Sequence, residues 1–159
     1  MVDESEPEDS VKRYAMDTIS TGEEIIKLKP YAFFQEHAEY LSVIEGRIEF
    51  TLNGEKIVLN AGDPDLFVPR RVVHSFKSFK GEESILRERP DPAGIYKALF
   101  FNDLFSTGDF GGFWHVVRAS YDGDAYLALP LPFRFLDEVF LAIFGPIARL
   151  FAPSKPESL

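Results

Sequence analysis

A chain of 159 residues with 45% hydrophobic content is long enough to bury one sizeable core. A formal net charge of −9 and a pI near 4.8 argue against nucleic acid, whose phosphates need a basic face, and against an anionic membrane surface. The absence of cysteine excludes disulfide scaffolds, zinc ribbons and thiol catalysis.

Residues 1–12 are acidic and poor in apolar side chains, so they read as a disordered tail rather than a secretory signal. A cytoplasmic location is the default expectation. Tyr14 to Ile19 and Glu24 to Lys29 read as strands around the Thr21-Gly22 turn, and Pro30 to Phe34 as a third. Glu39 to Gly46 (EYLSVIEG) is an apolar strand closed by a glycine turn. Arg47 to Leu52 (RIEFTL) alternates polar with apolar residues, the period of a half-buried strand. Asn53-Gly54 is a strong hairpin signal, because both turn residues take positive φ. Lys56 to Leu59 returns, Ala61-Gly62-Asp63 turns, and Leu66 to Pro69 follows. His74 opens a strand that Ser75 to Phe79 extends, and Ser84 to Arg89 is the next. Pro90 to Gly94 interrupts the pattern, after which Ile95 to Phe101 is expected as the last strand.

The character changes after Asn102. Asp103 to Gly112 is a Gly-rich connection, Phe113 to Tyr121 a short helix, and Leu129 to Pro132 a stiff linker. Phe133, Leu136, Phe140, Ile143, Ile147 and Leu150 then recur at three- and four-residue steps, an apolar helical face. Arg134, Asp137, Glu138 and Arg149 form the polar side, and Gly145-Pro146 is expected to kink or split the helix. The longest uncharged run there, Val139 to Ala148, is about half of a ~20-residue membrane span. The expectation is that this tail docks on the strand domain or on a second copy, with a homodimer as one outcome.

Glu39 and Gly46, followed by Gly62, Pro69 and His74, resemble the two sequence motifs of the cupin superfamily. The resemblance covers residues 20 to 102. It implies an all-β, cupin-like jelly-roll barrel over residues 13–102, with a helical extension over 103–159. That helical tail resembles the one on small fungal cupins of natural-product pathways. Two departures stand out. The family's paired histidines would fall among Ala32, Phe33, Phe34 and Gln35, and Arg71 stands where the second motif has glycine. The family's metal cage is therefore degenerate.

The resemblance places His74 and Glu39 in the barrel cavity. A histidine and a partly desolvated carboxylate suit proton transfer near neutral pH. His37 lies two residues before Glu39, on the same face if the chain is extended there. It is a third candidate catalytic residue. Together with Glu39 and His74 it would form the two-histidine, one-carboxylate set of non-haem iron sites. Phe33, Phe34, Phe67, Phe76 and Ala32 are candidate substrate-binding residues. Arg71, beside Arg70, is a candidate for holding a carboxylate or enolate. Sixteen phenylalanines suggest an aromatic interior with room for a flat ligand. Lys97 alternates with Tyr96 and is a candidate inward cation, Trp114 is expected to pack as part of a lid, and His115 to face solvent.

The resulting expectation is an enzyme without a cofactor. It would be an isomerase, dehydratase or cyclase moving protons on a hydrophobic, aromatic or polyketide-like intermediate of secondary metabolism. One alternative is a dioxygenase holding iron, manganese or zinc through His37, Glu39 and His74. The other is a non-catalytic cupin that binds a ligand or serves as a scaffold.

Overall fold

The computed structural model describes residues 2–23, 32–34, 36–106, 112–127, 129, 133 and 135–155. The expected strand Glu24 to Lys29 and the side chain of Arg134 lie outside them, as do most of the Gly-rich and Leu129 to Pro132 connections. The chain forms two compact units, Met1–Gly94 and Ile95–Leu159.

The first unit contains β1 (Met16–Ser20), β2 (Ala32–Phe34), β3 (Ala38–Glu45), β4 (Arg47–Leu52), β5 (Glu55–Asn60), β6 (Leu66–Val68), β7 (His74–Lys77) and β8 (Ser84–Asp91). They pair antiparallel in two sheets, β1-β8-β3-β6 and β5-β4-β7-β2. This order is that of an eight-stranded jelly roll, in which the chain crosses from sheet to sheet at nearly every step. The β4–β5 hairpin turns at Asn53-Gly54, both with positive φ, and its register runs from Arg47 opposite Asn60 to Leu52 opposite Glu55. Gly46 makes the tight β3–β4 turn at φ 68°, where a Cβ would lie 2.1 Å from the Glu83 carbonyl oxygen. No other residue fits there.

Alternation decides what each strand contributes to the interior. Leu41 and Val43 of β3, Ile48 and Phe50 of β4, Val68 of β6, Phe76 of β7 and Leu86 of β8 form one buried cluster between the sheets. Outer-face polar pairs lock the register. Arg87 holds Asp17 through two 2.8 Å hydrogen bonds, tying β8 to β1. Arg89 donates to Ser42 and Asp65, each at 2.6 Å, tying β8 to β3 and to the loop before β6.

The second unit contains α1 (Tyr96–Phe105), α2 (Phe113–Asp122), β9 (Ala125–Leu127) and α3 (Phe135–Ala148). The strand expected over Ile95 to Phe101 is instead the first part of α1. Its buried residues Lys97, Phe100, Phe101 and Leu104 sit three and four apart, a helical spacing that outweighs the short polar–apolar alternation at its start. The expected break at Gly145-Pro146 is also corrected: α3 runs through it. Ala142 and Pro146 both face outward, so the carbonyl left without its helical partner lies on the exposed side. Gly145 is required for packing, since a Cβ there would come within 2.2 Å of the Tyr121 ring. None of the described helices is long and apolar enough to cross a membrane.

The second unit is held by a buried polar network. The Arg118 guanidinium grips the Asp103 carboxylate through both terminal nitrogens, one of them at 2.8 Å, with both side chains buried. His115 lies in the same network, its Nε2 donating to the Asp103 carbonyl at 2.9 Å. It is buried, against the expectation that it faces solvent. Trp114 stacks on Phe151 with centroids 5.3 Å apart, so it packs within this unit.

Candidate active site

Three strands of the jelly roll carry the same local arrangement. Each sends an apolar side chain into the buried cluster and, two residues along, a polar one onto the same face. On β3 these are Leu41 and Glu39, on β7 Phe76 and His74, and on β8 Leu86 and Glu88. A strand with period two puts such pairs on one face. Glu39 lies opposite Pro90 and Glu88 opposite Leu41, so the two carboxylates are diagonal neighbours across the β3–β8 pair. His74 comes from the other sheet, paired with Leu52 of β4 and Ala32 of β2. The interior is thus an apolar floor with a polar group of three at one end.

His74 Nε2 lies 2.8 Å from Glu39 Oε2, and both side chains are almost wholly buried. His74 Nδ1 is 2.9 Å from the Val72 carbonyl oxygen. A carbonyl only accepts, so Nδ1 carries a hydrogen and donates it. Nε2 and Oε2 then share a single proton. The pair is either a neutral imidazole beside a protonated Glu39 or an imidazolium beside a carboxylate.

Burial pushes the His74 imidazole below its ordinary value of 6.5, opposed by its bond to Val72 and by the Glu88 charge. That favours the neutral imidazole. Glu88 is fully buried, and burial raises its carboxyl to about 7, opposed by the charge on His74. Two neighbouring groups with values displaced in opposite directions are what acid/base chemistry near neutrality requires.

The sequence singles out some of these residues and not others. His74 and Glu39 are brought together as expected. Glu88 is an addition, although the alternation of SILRER places Ser84, Leu86 and Glu88 on one face. His37 is buried just before β3. Phe76 is buried in the apolar floor beneath His74. Phe67, expected to bind substrate, is corrected: it lies opposite Tyr40, points outward with that ring 5.1 Å away, and leaves the inner face to Leu66 and Val68. Arg71 is exposed in the loop before β7 with φ at 64°, and Arg70 beside it is also exposed. Ala32, Phe33 and Phe34 form β2, but their side chains lie outside the described residues. Lys97 belongs to the helical unit, where burial holds its ammonium well below the usual lysine value.

Among the described residues no group of three or more His, Asp and Glu side chains is placed to hold a metal ion. Among the described residues the three-histidine cage implied by the cupin resemblance is not assembled.

No family model matches the chain, and no curated protein sequence matches it. Among solved structures it is similar over about half its length to several proteins. Capsular polysaccharide assembling protein CapF from Staphylococcus aureus aligns with 11% identity over 48% of this chain and 24% of that one, TM-score 0.42. The cupin_2 domain of an XRE-family transcriptional regulator from Enterobacter cloacae aligns with 14% identity over 48% of this chain and 77% of that one, TM-score 0.40. The rmlC epimerase of Mycobacterium tuberculosis aligns with 15% identity over 49% of this chain and 44% of that one, TM-score 0.39. By its own strand order the fold of the first unit is an eight-stranded jelly roll.

Proposed function

We propose that the jelly roll is a small-molecule enzyme of the isomerase type, working by proton transfer without a metal. The observation that carries this reading is the buried His74–Glu39 contact at 2.8 Å beside Glu88, whose carboxyl burial raises to about 7. Glu88, as carboxylate, removes a proton from carbon next to a carbonyl group. The neutral Glu39–His74 pair supplies a proton to the carbonyl oxygen or to the far end of the developing double bond. The double bond has then moved, one proton has passed from the pair to Glu88, and its return resets the site. No covalent intermediate is needed. The apolar floor of Phe50, Phe76 and Leu86 suits a substrate with a hydrophobic body and one enolisable carbonyl. An aromatic or polyketide-like natural-product intermediate has those features.

Proton transfer can be followed directly, whatever the product. The protein is incubated in deuterium oxide with a panel of aryl ketones and β-diketones, and exchange next to the carbonyl is followed by NMR. Exchange faster than buffer, unchanged after exhaustive treatment with a chelator, is expected. Activity that disappears with chelation and returns only with iron, manganese or zinc would put the metal-dependent reading first. Ligands that bind without any exchange would make the protein a binding module.

A further inference from the structure

The helical unit presents an apolar surface that its own packing does not use. α3 buries Asp137, Leu141, Gly145 and Ala148, one face of the helix, against its own unit. The opposite face carries Phe135, Val139, Ile143 and Ile147, four residues apart in an unbroken row, continued by Leu150 and Phe151. These six side chains are between 37% and 79% exposed. The expected apolar face of this helix is therefore split. Phe140 and Phe144 pack inward with Trp114 and Tyr121, while Ile143, Ile147 and Leu150 point away.

The size of the row is informative. With about 150–250 Å² for a large aromatic side chain and somewhat less for an aliphatic one, these exposures leave on the order of 700 Å² of apolar surface. A soluble monomer rarely shows a contiguous patch beyond a few hundred Å². A standard protein interface takes roughly 800 Å² from each partner. The exposed row has the size of one half of such an interface.

We infer that this face of α3 is a homodimer interface, in which the helices of two copies pack antiparallel about a twofold axis near Val139 and Ile143. Two features select a second copy as the occupant. The row contains no charged residue, so two copies meet there without like-charge contact despite a net charge of −9 on each chain. Its four-residue spacing is the ridge that packs into an identical ridge at about −50°. The same net charge of −9 opposes an anionic bilayer, and interfacial membrane helices normally carry an excess of Lys and Arg beside their apolar face.

The test is sedimentation of the full chain over a hundredfold concentration range. A dimer is expected, and Val139→Asp with Ile143→Asp should convert it to a monomer with unchanged circular dichroism. Because the chain has no cysteine, Ile143→Cys provides an independent readout. Mild oxidation should link most of that variant as a dimer, whereas Glu55→Cys, on the exposed β4–β5 hairpin, should remain unlinked. A wild-type monomer at every concentration overturns the inference, as does a dimer that survives both aspartates while Ile143→Cys fails to link. Co-flotation of the monomer with phosphatidylcholine vesicles would also overturn it, assigning the face to a bilayer surface.

Discussion

Glu88→Gln is expected to lower turnover at least about a hundredfold, the usual scale for loss of a general base. Gln keeps the shape of the side chain and can still hydrogen bond, so substrate affinity should change little. The pH profile separates a catalytic role from a structural one. A base that must be ionised and has a carboxyl value of about 7 makes kcat/KM of the wild type rise through neutral pH from the acid side. In Glu88→Gln that limb should vanish along with the rate. His74→Ala and Glu39→Gln should each cost at least about a hundredfold as well, because each removes one holder of the shared proton. The losses should not add, since Glu39 and His74 act as one donor. Wild-type turnover in Glu88→Gln, or an unchanged acid limb, would remove Glu88 from the mechanism.

The second large effect is expected in the helical unit. Asp103→Ala strips the partner from the buried Arg118 guanidinium and should destabilise the unit by about 3–5 kcal/mol, the cost of stranding one member of a buried pair. The only tryptophan, Trp114, lies in this unit and reports its unfolding through fluorescence. With a urea dependence of about 1–3 kcal/mol per molar, the fluorescence midpoint should fall by more than about 1 M. The double variant Asp103→Leu with Arg118→Met removes both charges and should recover much of the loss. An unmoved Trp114 transition in Asp103→Ala would show that the pair contributes nothing to this unit.

Much of the jelly roll is legible in local signals. The bounds of β4 follow from RIEFTL, which alternates cleanly, and from Asn53-Gly54, which fixes the turn that follows. Glu39 and His74 are legible through the motif resemblance, and the structure sets each at the start of a strand. Local pattern fails where it spans too few residues. Tyr96-Lys97-Ala98 looks like alternation, and only the spacing of Phe100, Phe101 and Leu104 reveals a helix. Glu88 escapes notice because its importance depends on a histidine from the opposite sheet, a relation that no window of sequence contains. Phe67 misleads for the converse reason. Its face is set by the pairing of Tyr40 with Phe67, and a one-residue change of register would turn it inward.

The site also sets how stability depends on pH. Glu88 has its folded value raised above the ordinary 4.5, so the folded state holds its proton more tightly. Stability from that group is full below about 4.5 and is lost as pH rises through about 7. His74 has its folded value depressed below 6.5, so its contribution is full above 6.5 and is lost as pH falls through the depressed value. The two slopes oppose each other, and Glu88→Gln should remove only the first.

The claim that the jelly roll holds an acid/base group of three rests on these protonation states, and they can be read without any substrate. Carbon-13 NMR of the Glu88 carboxyl and nitrogen-15 NMR of the His74 ring should be followed together from pH 4 to 9. The account predicts a Glu88 midpoint near 7 and a His74 ring that keeps the Nδ1-protonated neutral form to well below pH 6.5. A Glu88 carboxyl titrating at the ordinary 4.5 beside a His74 titrating at 6.5 would contradict it.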